Sequence, residues 1–336
     1  MNVPRNLPDF SLARIPGSGS CLNGPLAGFG SSMSSFRNVI LCADDYGLSD
    51  GVSRGIAELA AMGRLSATGA MTNMPGWRRT AHDLTPLKGR IGIGLHLNLT
   101  TGIPLGKMAR LAPEGRFPPL GEVIAGAFRG RLNGGEVMGE VMGEIARQID
   151  AFEEVHGKTP SFIDGHQHVH VLPGVREALF QVLRERGYAG RVWLRDPADR
   201  TLSILRRPAG RGKALVVAGL ARGFSEAARA AGFATNRGFS GFAPFDLSVP
   251  AHRIFAAAFS NLGGAPLVMC HPGHADDELR GLDPAVESRA AELEYLKSDA
   301  FAALLEEWGL RLVSGPETSG SRQGQTETGL RGGPSV

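Results

Sequence analysis

The stretch NVILCADDYG, residues 38–47, decides the fold. Val39 to Ala43 form a short apolar run that ends in two carboxylates, a tyrosine and a glycine. Such a run, bounded by turn residues, reads as a strand buried on both faces. Strands of that kind belong to parallel sheets, whose connections need a crossover helix. The neighbouring sequence agrees. Ser49 or Asp50 can cap a helix that continues to about Gly63. Residues 66–72, 91–97, 191–195, 266–271 and 310–314 read as further strands, and 161–171 starts as one. Residues 136–155 carry apolar side chains every three or four positions, and 174–187, 251–261, 285–297 and 299–308 also read as helices. Alternation of this sort means parallel strands with helices between them. Nothing marks a second core. The expected fold is therefore α/β, one (β/α) barrel-like domain of irregular TIM type over 37–314, with a doubly wound open sheet as the alternative.

The ends differ from the middle. Residues 1–36 are rich in Gly, Ser, Pro and Asn, and 315–336 are polar and Gly-rich. Both are expected to be disordered, and Met33 is a candidate natural start. Of 336 residues, 42% are hydrophobic and 21% charged, with a net charge of +3, so the composition is that of a folded chain. No run of five basic residues occurs, which argues against nucleic acid as a partner. Cys21, Cys42 and Cys270 are too few for a disulfide framework and fit a reducing compartment. No apolar stretch reaches the ~18 residues of a membrane span, and no secretory signal opens the chain. A cytoplasmic enzyme is the expectation. Dinucleotide, P-loop, zinc-finger and nucleophile-elbow motifs are missing.

The polar residues fall at strand ends. Asp44 and Asp45 end the first, His96 the third, and Asp164, His166, His168 and His170 the fourth. Arg195 ends the fifth, and Cys270 and His271 a late one. Active sites of barrels and open α/β sheets lie at the C-terminal ends of strands. Two adjacent aspartates on a strand point opposite ways. One can bind a metal while the other faces the attacking water; the alternative is that the pair caps the following helix. Two carboxylates so close resist ionising together unless a cation is near, and a metal with Arg195 would supply it. His96 alone would more often be a satisfied core residue, but the number of histidines at strand ends reverses that preference. His166, His168 and His170 would share one face if the strand continued. The outer two would then stand about 13 Å apart at ~3.3 Å per residue, too far for one ion with ~2.1 Å bonds. At most two neighbours can ligate, or one can join ligands from other strands, with Asp164 orienting His166. His271 is placed for general-acid work. Cys42 and Cys270 are expected in the core, and His82, His156 and His252 on exposed helix surfaces. His274, Asp276 and Asp277 line the mouth or form a solvated loop.

Taken together, NVILCADDYGLSDGVSRGI, GIGLHLNLTTGIPL, PSFIDGHQHVHVLP, VWLRDP, VMCHPGHADDEL and ESRAAELEYL resemble the YdjC/ChbG-like carbohydrate deacetylase family from about 38 to 314. The resemblance implies a barrel-like fold, one divalent metal ion and N-deacetylation of acetylated amino sugars, of which chitooligosaccharides are the best-known class. It places the metal ligands on Asp45, His96 and His166, the base on Asp44, the acid on His271, and a residue holding the base on Arg195. Mg²⁺ is the family's usual assignment, whereas two imidazoles and a carboxylate suit Zn²⁺, Co²⁺, Ni²⁺ or Fe²⁺ better. The implied partner is a small acetylated sugar, with no nucleic acid and no membrane span. A homodimer is left open, since no self-complementary patch is visible. Residues 197–248 match weakly, so substrate choice does not carry over. The rival readings are another metal-dependent hydrolase, acting on a phosphoester or cyclic amide, and a non-catalytic sugar- or metal-binding protein.

Overall fold

The computed structural model describes residues 36–316 other than Asp246. The expected tails at 1–36 and 315–336 lie almost wholly outside the described residues, as do Met33 and Cys21. Among the described residues nine strands form one sheet: β1 (Arg37–Tyr46), β2 (Ala67–Ala70), β3 (Gly92–Leu97), β4 (Phe162–Gly165), β5 (Trp193–Leu194), β6 (Ala234–Thr235), β7 (Phe239–Ser240), β8 (Leu267–Cys270) and β9 (Leu310–Leu312). The order is β6-β5-β4-β3-β2-β1-β8-β7, and β9 pairs with β1. Every strand ladder is parallel. This is the circular order of an eight-stranded barrel with one seam, because no ladder joins β6 to β7 among the described residues. The α/β barrel-like fold expected from the alternation is the one found.

β1 is the centre of the sheet. Val39 to Tyr46 are all buried: the apolar run to Ala43 as a strand with a neighbour on each side must be, and the two aspartates that follow it as well. Its Cys42 stands opposite both Ala67 and Met269, while Arg37 to Val39 pair with β9. The following helix, Asp50–Ala61, starts where expected: the Ser49 hydroxyl accepts from the Val52 N–H. The helix Gly135–His156 turns Val141, Ile145, Ile149 and Phe152 inward and stops at Gly157, whose φ of 72° is cheap only for glycine. Each such side chain contributes about 1.5–3 kcal/mol when fully buried. Trp77 stacks on Phe152 at 5.4 Å and donates its indole N–H to the Ala151 carbonyl.

The structure refines three expectations. The strand that starts in 161–171 covers Phe162–Gly165 and does not continue. Residues His166–Val171 form a tight turn in which Gln167 (φ 52°) and His168 (φ 61°) are left-handed, so the three histidines do not share a face. His156 is buried, not at the surface, because the last helical turn packs its ring on Phe152 at 5.0 Å. Finally, the helices Pro75–Thr80, Leu120–Phe128, Thr201–Arg206, Arg211–Leu220 and Phe224–Ala230 were unforeseen.

Candidate active site

The C-terminal ends of β1, β3, β4 and β8 converge on a cavity of about 640 Å³. Asp44 and Asp45 both line it, although alternation alone would send them to opposite faces. The strand is irregular there: its register with β2 shifts between Ala43 and Tyr46, and Asp45 has a φ of 70°. A non-glycine residue in that region costs about 1–3 kcal/mol, and such strain is held by the contacts around it.

Those contacts are ionic. Asp45 Oδ1 lies 2.9 Å from His166 Nδ1 and 3.3 Å from His96 Nε2, and its Oδ2 accepts from Arg289 Nη2 at 2.6 Å. His96 Nδ1 donates to Asp164 Oδ1 at 2.6 Å. The pair faces each other because β3 and β4 set His96 opposite Asp164. Gly69 on β2 leaves it room, since a Cβ there would come within 3.1 Å of the His96 side chain. Arg195, fully buried just after β5, grips Asp44 with Nη1 and Nη2 at 2.7 and 2.6 Å. Its Nη2 also meets Asp164 Oδ2 at 2.5 Å and Cys42 Sγ at 3.0 Å. His170 Nε2 donates to the Arg195 carbonyl at 2.8 Å and so fixes that residue from behind.

Burial alone would raise the Asp45 pKa, but Arg289 and His166 outweigh it and hold the carboxyl well below its usual range. Burial likewise disfavours a charged His96, yet the Asp164 and Asp44 charges lift its pKa to about 10. At His271 burial outweighs the raising charges of Asp45 and Asp44. Burial pushes its pKa down to about 4. Its Nδ1 is buried and unbonded, and its ring meets Phe245 edge-on at 5.1 Å.

Asp45, His96 and His166 each offer one ligand atom, and these lie within 4.8 Å of one another. Bonds of ~2.0–2.2 Å in tetrahedral geometry would set ligand atoms roughly 3.3–3.6 Å apart, so a divalent ion fits with small adjustments. The bond from His96 Nδ1 to Asp164 leaves Nε2 as the free donor, the usual arrangement of a ligating histidine. Asp164 thus orients His96, not His166 as expected. A second cluster, Cys42, Asp44 and Asp164, is already filled by the Arg195 guanidinium.

The other candidates do not join this cluster, although His168 also lines the cavity. His168 packs edge-on against Phe239 and Phe242, and burial lowers its pKa well below the usual value. His274 binds Glu58, and Asp276 caps the helix Asp277–Leu282, so these two serve local structure. Cys42 and Cys270 are buried and free, as expected. His82 is exposed. Arg289 was overlooked. It lies on the helix Val286–Lys297, in a stripe with Val286, Leu293 and Leu296, and a charge inside an apolar stripe was the available signal. Asp283 also binds its guanidinium, and Glu292, one turn on, accepts the His271 backbone N–H at 2.6 Å.

The sequence has relatives. A chitooligosaccharide deacetylase of Enterobacter sp. (strain 638) is 29% identical over 279 residues, covering 82% of this chain and 97% of that protein. A carbohydrate deacetylase of Mus musculus is 29% identical over 312 residues, covering 85% and 96%. A solved structure of a putative cellobiose-phosphate cleavage protein from Enterococcus faecalis V583 has the same fold. It aligns with a TM-score of 0.60 and 22% identity over 84% of this chain and 98% of that one. The family model described as YdjC-like protein matches residues 38–307, which span the sheet from β1 to β8 and every residue of the cluster above, and the chain belongs to that family.

Proposed function

We propose that the protein is a metal-dependent carbohydrate N-deacetylase. It would hydrolyse the acetamide of N-acetylated amino sugars, with chitooligosaccharide-like substrates, to acetate and the free amine. The observation that carries this reading is the division of labour between adjacent carboxylates on one cavity floor. Asp45 faces two imidazoles, while Asp44 is held by Arg195. Relatives named chitooligosaccharide and carbohydrate deacetylase support the substrate class.

Asp45, His96 and His166 would hold the ion, and their nitrogen-rich set favours Zn²⁺ or a similar ion over Mg²⁺. A bound ion of this kind lowers the pKa of water and polarises a carbonyl. Asp44 is the base. Arg195 takes one lone pair from each of its oxygens, and the remaining pairs can accept a proton from water in the cavity. Arg195 acts through Asp44, by fixing its plane. His271 serves as the acid at the leaving nitrogen. With its pKa near 4, only about one imidazole in 10³ is charged at pH 7. The proton that it gives to the amine is therefore gained during turnover and balances the one that Asp44 takes from water, exchanged between the two through the water of the cavity. As the C–N bond breaks, nitrogen takes that proton and acetate departs.

The test is acetate release from N,N′-diacetylchitobiose with several divalent metals, with EDTA, and with Asp44→Asn. Release should need metal and fall about 10²–10⁴-fold in the variant, with metal still bound. Full activity in metal-loaded Asp44→Asn would remove Asp44 as the base. No acetate from diacetylchitobiose with any metal would overturn the chitooligosaccharide-like substrate class, and no acetate from simple N-acetylglucosaminides either would overturn the deacetylase reading.

A further inference from the structure

The walls of the cavity differ in kind from its floor. Leu120, Ile124, Val216, Val217, Leu220 and Leu282 line it. Sugar rings are held by hydrogen bonds to their hydroxyls and by stacking on flat aromatic faces, and aliphatic side chains provide neither. Histidines aside, Thr101 and Gln167 are the uncharged polar side chains on the lining among the described residues; Phe242 and Phe245 also line it, but their rings pack edge-on against His168 and His271, and Lys213 donates to the Ala243 carbonyl. A chain of several sugars laid along these aliphatic side chains would bury hydroxyls against them without partners, at a cost for each one.

The helix Arg211–Leu220 adds an independent observation. Ala214 is its one buried side chain, while Val216 is 63% exposed at the cavity and Leu215 is 40% exposed beside it. An apolar surface left open at the entrance of a site, continuous with its interior, is a binding surface for something apolar. This helix lies in the 197–248 segment, where the resemblance to sugar deacetylases is weakest.

We propose that the substrate is an acetylated amino sugar carrying a hydrocarbon aglycone. The sugar sits at the carboxylate floor, and the hydrocarbon lies along the wall made by residues 211–220. The proposal rests on the deacetylase reading for the sugar and names the remainder of the molecule.

The experiment compares methyl and octyl N-acetyl-β-D-glucosaminide with N,N′-diacetylchitobiose. It uses the full-length, metal-loaded protein, with the octyl glycoside below its micelle concentration. Burying about half of the seven added methylenes gives an octyl-over-methyl advantage of about 10² in kcat/KM. Calorimetry on Asp44→Asn protein should show a similar ratio in Kd and a more negative heat capacity change for the octyl glycoside. Val216→Asp and, separately, Leu220→Ser should cut both ratios at least about tenfold. A ratio within about threefold in both measurements, or a preference for diacetylchitobiose over the octyl glycoside, would overturn the proposal and leave the deacetylase reading intact. If none of the three releases acetate, that reading fails, and the Kd comparison still decides whether the wall binds hydrocarbon.

Discussion

Replacing Arg195 by methionine removes one guanidinium from between two buried carboxylates while keeping most of the side-chain bulk. Arg195 and Asp164 are fully buried and Asp44 nearly so, which leaves no room for solvent to take over. Asp164 keeps the His96 imidazolium, whereas Asp44 loses the partner bound to both of its oxygens. Breaking a buried pair on one side costs about 3–5 kcal/mol, a large part of the ~5–15 kcal/mol that holds a typical fold together. At ~2–4 °C per kcal/mol for a chain of this order, Tm should fall by about 6–20 °C. The loss should also depend on pH. Burial by itself raises the Asp164 pKa, but Arg195 and then His96 outweigh it and lower it below the usual range. In the wild type, Asp164 therefore stabilises the fold above its unfolded pKa of ~3.9, and this contribution fades as pH falls through the lower folded value. Without Arg195, burial acts with less opposition, so the carboxyl takes up a proton at higher pH. The penalty is then full at neutral pH and relieved on acidification. Urea denaturation followed by far-UV circular dichroism, with EDTA at pH 7.5 and 5.0, measures both effects. A difference below about 1 kcal/mol at pH 7.5, or one equal at the two pH values, would refute the reasoning.

Metal binding should release about one proton at pH 7, because metal-free His96, with a pKa near 10, must lose its proton to free Nε2. Affinity should rise with pH up to about 10; calorimetry in buffers of different ionisation enthalpy counts the proton, and a count of zero sinks the idea. Asp164→Asn should weaken metal binding about 10–100-fold by loosening the His96 ring; equilibrium dialysis that finds unchanged affinity would count against that role. Gly94→Ala should destabilise by about 1–3 kcal/mol through overpacking. A Cβ there lies 2.5–2.6 Å from three ring carbons of Phe162, which is itself stacked on Trp193 at 4.6 Å. An unchanged melting temperature would show that this contact is not tight.

What the residues alone disclosed followed the strength of their patterns. Val39–Ala43 and the apolar period of 136–155 are long local signals, and β1 and the helix Gly135–His156 appeared where they pointed. β5, β6 and β7 have two residues each, too few to show any period, and only one of them was foreseen. The turn after β4 was not legible because no Gly or Asn marks Gln167 and His168, whose left-handed backbone is imposed by tertiary packing. In the site, strand-end position was enough to gather Asp44, Asp45, His96, His166, Arg195 and His271 around one cavity or its border. Partnership was not legible. That Asp164 serves His96 depends on the β3–β4 register. That Arg289 reaches Asp45 depends on a helix some 240 residues further along the chain.

The central place of β1 also matters while the chain is being made. One edge of β1 is covered by β2, which follows within some 20 residues, and at its start by β9; the other edge waits for β8. About 220 residues separate the end of β1 from the start of β8. At ~5–20 residues per second, that edge stays unpaired for about 10–45 s of synthesis. An apolar strand with a free edge is a template for pairing with another chain, so the nascent protein should depend on ribosome-associated chaperones far more than the finished one does. A chain truncated before residue 267 should collect as aggregate with its metal ligands all present and its barrel unclosed.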